Sequence, residues 1–480
     1  MPYIGKAPSS GIRSRFIYTA TSGQTTFTGS DSNGKTLGYT DSEYVDVYLN
    51  GVLLEPADYT ATSKTSVVLD SGATVGDTME IVVYDTFSVF NGTFSGDITV
   101  GGGATIDGLL IKDKEIGTSA APATLQVSAI NSGQIGGRRN LIINGAAEIS
   151  QRPTGTVNNG ETYGAVDRFV GFAASGGTFT LAQSTDSPDG YINSILATVT
   201  SADSSIASSD FYGISQRIEG QNIYHLGFGS SAAKTLTLSF YVKSSVTGTF
   251  GGAIRNNAVD RSFVFSYTVN SADTWELKTV TITGDTSGTW LTTNGIGLRV
   301  SWSLGDGSSR LKSAGSFGDG NFAGVTGQTN LISTGSATLQ LTGVQVEVGS
   351  VATEFEHRSF GEELELCERY YRRLGAPNIS SSVFGYVTGA SVNNNAGQGV
   401  IHHHPEMRDT PSVEHTGTAS DYKIKSQNSN KTCSSTPQFT SNSRQTTILW
   451  FTASGLLTSG FAVHLQNATT DGFVAFEAEL

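Results

Sequence analysis

Apolar and polar residues alternate with a period of two in segment after segment of this 480-residue chain, and no other feature constrains its fold as tightly. Leu236, Leu238, Phe240 and Val242 alternate with polar neighbours, and Phe263, Phe265, Tyr267 and Val269 do the same. ELKTVTIT, GIGLRVSWSL and ATLQLTGVQVEV repeat the pattern. Successive side chains on a strand point to opposite faces, so each run is a strand with one buried and one solvated face. Sheets of that kind stack in pairs to cover their apolar faces. The expectation is a mainly β chain of serial β-sandwich or jelly-roll modules. Gly at 58 positions supplies the positive-φ residues that many tight turns demand.

The alternation is interrupted, and the interruptions divide the chain. In residues 1–90, Val45, Val47 and Leu49 alternate with Asp46 and Tyr48, and Asn50-Gly51 is a type I′ turn signal ahead of Val52. RSRFIYTATSGQTTFTG, SVVLD and TMEIVVYDTF complete a small N-terminal β-sandwich. Residues 91–137 change character: Phe94, Ile98, Val100 and Ile106 are scattered among small residues and a Gly101–Gly103 run. So little apolar surface makes no core in one copy. Three copies wound about one axis would form an intertwined stalk; the alternative is a flexible linker. Residues 138–358 form the central jelly-roll, and 375–480 return to short strands as a distal β domain.

Between them, 359–374 reads as one short helix. Ser359 and Glu362 fit a capping box, acidic residues lead, arginines follow, and Gly375 and Pro377 stop it. Phe360, Leu364, Cys367, Tyr371 and Leu374 are spaced four, three, four, three, a heptad seam. That seam must meet either its own copies about a threefold axis or the central sandwich.

Two ordered sets of segments carry a resemblance. YIG, TATSGQTTF, VDVYLNGVLL, ADYTAT and GDTMEIVVYDTF resemble the N-terminal module of tail fibres from phages of marine bacteria and cyanobacteria. RNLIINGAAEISQR, YGAVDRF, TLTLSFYVKSSVTGTF, DTWELKTVTITGDTSGTW and LTGVQVEVGSVATEFEHRSFGEELELCERYYRR resemble a module widespread in phage tail fibres, similar in outline to jelly-roll carbohydrate-binding modules. MRDTPSV and the terminal FEAEL resemble the distal domain of the same class. The resemblance implies an elongated homotrimer in the virion tail, made in the host cytoplasm. Residues 1–90 would attach to the tail, baseplate or an adaptor protein. Residues 375–480 would be the tip that meets a host surface glycan or outer-membrane receptor.

Chemistry narrows the rest. A net charge of −13 argues against nucleic acid, and no apolar run is long enough for membrane insertion. A glycan site needs flat aromatic faces, and Trp275, Trp290, Trp302 and Trp450 are the candidates, against their use as core. His402 and His404 share one strand face, and threefold symmetry would gather six imidazoles suited to iron or zinc. A single pair ended by Pro405 reads first as solvated or interface histidines, with metal the alternative, and no cofactor is expected. Cys367 and Cys433 read as isolated neutral thiols. No nucleophile elbow, zinc motif or phosphate loop occurs, so no catalytic residue is assigned. A tailspike-like enzyme that degrades host polysaccharide is the alternative function. The carboxylate pair Glu354 and Glu356 reads as solvating one strand face rather than as such a catalytic pair.

Overall fold

The computed structural model describes residues 12–85, 129–130, 133–134, 138–375, 384–426, 429–453 and 457–480. Most of the expected stalk at 91–137 lies outside the described residues. The chain divides into two compact units, 1–120 and 121–480.

The first unit is the expected small sandwich. One sheet runs Ile12–Thr19, Thr78–Asp85, Val45–Leu49, Val52–Leu53; the facing sheet runs Gln24–Thr28, Ser66–Ala73, Tyr59–Thr60. Asn50 and Gly51 both adopt positive φ, which the type I′ turn requires. Phe16, Phe27, Val47, Val67 and Ile81 from both sheets close the core.

In the second unit an 11-stranded antiparallel sheet curls on itself. The long strand Phe169–Ser184 makes the fold possible, because its two halves serve two layers. Residues 178–184 pair with Ser194–Ser201, which leads on to Thr338–Val348, Leu236–Ser244 and Glu276–Ile282. Residues 169–172 pair with Phe211–Glu219, which leads on to Ile296–Asp306, Gly248–Arg255 and Arg261–Val269. The inward residues of the alternating runs, Leu238, Phe240, Phe263, Phe265 and Val300 among them, fill one continuous core between the layers.

The helix differs from expectation. It spans Phe360–Glu368, with Ser359 accepting the Glu362 amide as its cap, but residues Tyr371–Leu374 are a strand. Their backbone pairs with Val474–Glu477, so four residues that a short helix would hold poorly gain a ladder instead. The heptad seam is therefore broken. Phe360 is exposed, Cys367 is buried against Ile143, Ile149 and Tyr370, and Tyr371 and Leu374 belong to the distal sheet. Of the two expected partners for the helix, the described contacts supply the central sandwich.

The distal strands form a seven-stranded sheet, and a three-stranded one ordered Tyr371–Leu374, Val474–Glu477, Ser412–His415. No helix among the described residues is long and apolar enough to cross a membrane.

Candidate functional site

The outer face of the first layer carries an aromatic patch beside hydrogen-bonding groups. Strand Leu236–Ser244 turns its even-numbered residues to the core and leaves Tyr241 and Lys243 facing out. Tyr241 stands opposite Leu277, an exposed aliphatic residue. Tyr191 packs edge-on to Tyr241 at 5.6 Å and to Phe355 at 5.4 Å, and His357 closes the cluster 4.9 Å from Phe355. The Tyr191 ring fits because position 343 is Gly at φ 60°: a Cβ there would stand 2.6 Å from the Tyr191 hydroxyl. Burial pushes that phenol up to about 12, so it remains protonated. Lys243 donates to Asp186 at 2.7 Å, and the Trp275 indole N–H donates to the same carboxylate at 3.2 Å. Lys243, chiefly, holds Asp186 below the usual carboxylate range. Trp275 is half-buried, with its ring beside an anchored charge pair.

The four tryptophans thus separate. Trp302 is fully buried, 5.6 Å from Phe240, and Trp290 is buried edge-on to Phe228 and Phe317. Both are core and neither reaches a ligand, a correction to their candidacy. Trp450 is half-buried on strand Thr446–Thr452 of the distal sheet, between Gln398 and Gln438. Trp275 and Trp450 remain as surface aromatics on two different sheets.

The strand ends at His402, and the three histidines alternate in burial. His402 and His404 are exposed, and His403 is buried with Nε2 2.9 Å from the Thr447 hydroxyl. Burial drives His403 down to about 4, so it is neutral at ordinary pH. Among the described residues no group of three or more His, Cys, Asp or Glu is arranged to hold a metal. Both thiols are buried and free, and burial raises each. Glu356 does not merely solvate a strand: it accepts from the Arg139 and Asn140 amides and from Arg358.

Sequence reasoning missed the junction between central and distal parts. Arg168 and Arg152, both buried, pair with Glu479. The Arg152 guanidinium stacks on Tyr371 at 3.4 Å and Arg168 on Tyr370 at 3.5 Å. Arg217 donates to the Leu480 carbonyl, and Arg408 to those of Ala478 (2.6 Å) and Glu479 (2.7 Å). Beside this clasp lies an open groove of about 1130 Å³, lined in part by Tyr163, Tyr371, Phe473, Arg373, Glu414 and Glu477.

Burial, helped by the hydrogen bond that the protonated Glu477 donates to Glu414, raises the Glu477 carboxyl to about 7. A carboxyl raised on folding binds its proton more tightly in the native state, so its contribution is fully present below about pH 4.5 and lost as pH rises to about 7. We expect Glu477→Gln to flatten that part of the stability profile. Thermal melts of parent and variant from pH 4 to 8 read the difference; parallel profiles would contradict a shared proton.

No family model and no curated protein sequence matches the chain. Solved structures give only distant likenesses. The enzymatically active domain of tailspike protein 4 from bacteriophage CBA120 aligns at 10% identity over 44% of this chain and 21% of its own, with a TM-score of 0.24. A family 11 carbohydrate-binding module from Clostridium thermocellum aligns at 13% identity over 42% of this chain and 98% of its own, at 0.21. The N-terminal CBM22-1–CBM22-2 tandem domain of Paenibacillus barcinonensis Xyn10C aligns at 10% identity over 74% of this chain and all of its own, at 0.23. Scores this low mark a general likeness among layered β folds and assign nothing to this chain.

Proposed function

We propose that the chain is a phage tail-fibre subunit whose central module binds a host-surface glycan. The observation that carries the glycan reading is the outer-face patch: Tyr191, Tyr241 and Trp275 lie beside Asp186 and Lys243, which are already anchored to each other. Pyranose C–H faces stack on such rings while the charged pair meets hydroxyls. The ordered resemblance of the N-terminal and central segments supports the fibre role, with residues 1–90 toward the tail and 375–480 toward the host. The scattered aliphatic residues of 91–137 support a homotrimer, which would bury them together.

Binding is preferred to cleavage on geometry. Glu414 and Glu477, two of the four carboxyl residues that line the groove with Glu161 and Asp471, hydrogen-bond each other, whereas hydrolytic pairs stand about 5 Å or more apart. Release of reducing sugar from host envelope glycans by the purified protein would favour the enzyme instead.

The test is adsorption. Trp275→Ala and Tyr241→Ala should each weaken binding to host cells by about tenfold, roughly 1.4 kcal/mol, with the melting temperature nearly unchanged. Unaltered adsorption in both variants would remove the patch from this reading. A native mass of one 50.3 kDa chain would remove the trimer.

A further inference from the structure

Three arginines stand side by side on the outer face of the second layer, the opposite side of the sandwich from the aromatic patch. Arg217 lies in register with Arg299, and Arg299 with Arg255, across three adjacent strands. Beyond them the same face is floored by small residues: Gly213 faces Ser303, and Ser215 faces Ser301, which faces Ala253. Like charges opposite one another on a ladder repel, so such a row is costly unless something neutralises it.

The chain's own residues neutralise it only in part. Arg217 pairs with Glu161 and donates to the Leu480 carbonyl. Arg255, 8% exposed, donates to the side chains of Asn321 at 2.9 Å and Ser301 at 3.4 Å, both neutral. Arg299, half-buried between them, has no hydrogen-bond or ion-pair partner among the described residues. The Nε atoms of all three are buried and unpartnered. Arg310 adds a fourth cation, seated over Phe211 at 5.2 Å. Against these four stand Glu161 and Asp306. Asp306 is committed to Ser303 and Gln328, and burial raises it to about 6. Burial and then Arg299 lower Arg255 to about 10. A chain of net charge −13 has thus gathered an excess of positive charge on one sheet face.

We propose that the Arg217–Arg299–Arg255 row binds an oxyanion carried on a sugar, so that the ligand of the central module is an acidic polysaccharide. The inference rests on the glycan reading above and adds the chemical class. A guanidinium offers two parallel N–H donors that match a carboxylate or sulfate, and the Arg299 side chain has no hydrogen-bond partner among the described residues, its Nε alone being buried.

Three probes separate the sources of the anion: trigalacturonate, a sulfated galactose trisaccharide and neutral galactotriose. Calorimetric titration of the full chain should give at least one acidic trisaccharide an affinity about tenfold above the neutral one. The better acidic probe identifies the group. Arg299→Gln should abolish that preference, and Arg299→Lys, which keeps charge but not the fork, should retain part of it. Arg299→Gln should also melt at or above the parent in chloride, because it relieves repulsion in the row. Equal affinity for acidic and neutral probes, or a preference that survives Arg299→Gln, would overturn the inference. Melts in sodium sulfate and sodium chloride at equal ionic strength separate this site from the glycan reading. A larger sulfate gain in the parent than in Arg299→Gln, with no trisaccharide bound, keeps the anion site and rejects the glycan reading. Equal gains reject the anion site.

Discussion

Glu479→Ala is expected to destabilise the 121–480 unit by about 3–5 kcal/mol, the cost of stranding a buried charge. Glu479 is the acid against both Arg168, whose side chain is 1% exposed, and Arg152, at 8%. Arg168 cannot reach water when its partner is lost: its guanidinium lies on the Tyr370 ring and donates to the Arg217 carbonyl at 2.7 Å. At roughly 2–4 °C per kcal/mol for domains of 150–250 residues, the melting temperature should fall on the order of 10 °C. The fault should also open the junction, because Arg408 and Arg217 hold carbonyls of the same tail. Replacing the pair together, Arg168→Met with Glu479→Met, removes those two charges and should recover part of the loss, Arg152 keeping Glu477. A Glu479→Ala melt close to the parent's would mean that Arg168 finds another partner, and the clasp would not be what joins the two parts.

What the sequence disclosed and what it withheld follow from the range of the interactions involved. Alternation in 236–242 and 263–269 is a local consequence of strand geometry, so strands and core residues could be read directly. The Asn50-Gly51 turn and the Ser359 cap are likewise settled within four residues. The end of the helix was misjudged because its competitor, strand Val474–Glu477, lies about a hundred residues downstream and leaves no mark near Tyr371. The aromatic patch depends on Tyr191, which a loop delivers, and on Gly343, whose missing side chain makes room for it. The arginine row is harder still to read, since Arg217, Arg255 and Arg299 become neighbours only through the register of three strands. In sequence each is one charged residue on an otherwise ordinary strand.

The tryptophans show how a single residue type hides two roles, and substitution should separate them by size of effect. Trp302→Ala is expected to cost about 3–5 kcal/mol, because a fully buried indole leaves a cavity that the two layers cannot close. The ring spans the core beside Phe240, and its backbone is held between the strands of Ile214 and Gly252. Trp302→Phe should be much milder. It keeps most of the apolar contact and also removes an indole N–H that has no hydrogen-bond partner among the described residues, a buried donor that itself costs about 1–3 kcal/mol. Trp275→Ala should do the reverse of Trp302→Ala, lowering glycan adsorption while barely moving the melt, since Trp275 is half-buried and gives up one hydrogen bond to a carboxylate that Lys243 still holds. Thermal melts of the three variants beside the parent decide the matter. If Trp302→Ala and Trp275→Ala melted alike, the division between core and surface tryptophans would be wrong, and the outer-face patch would lose the residue that distinguishes it from packing.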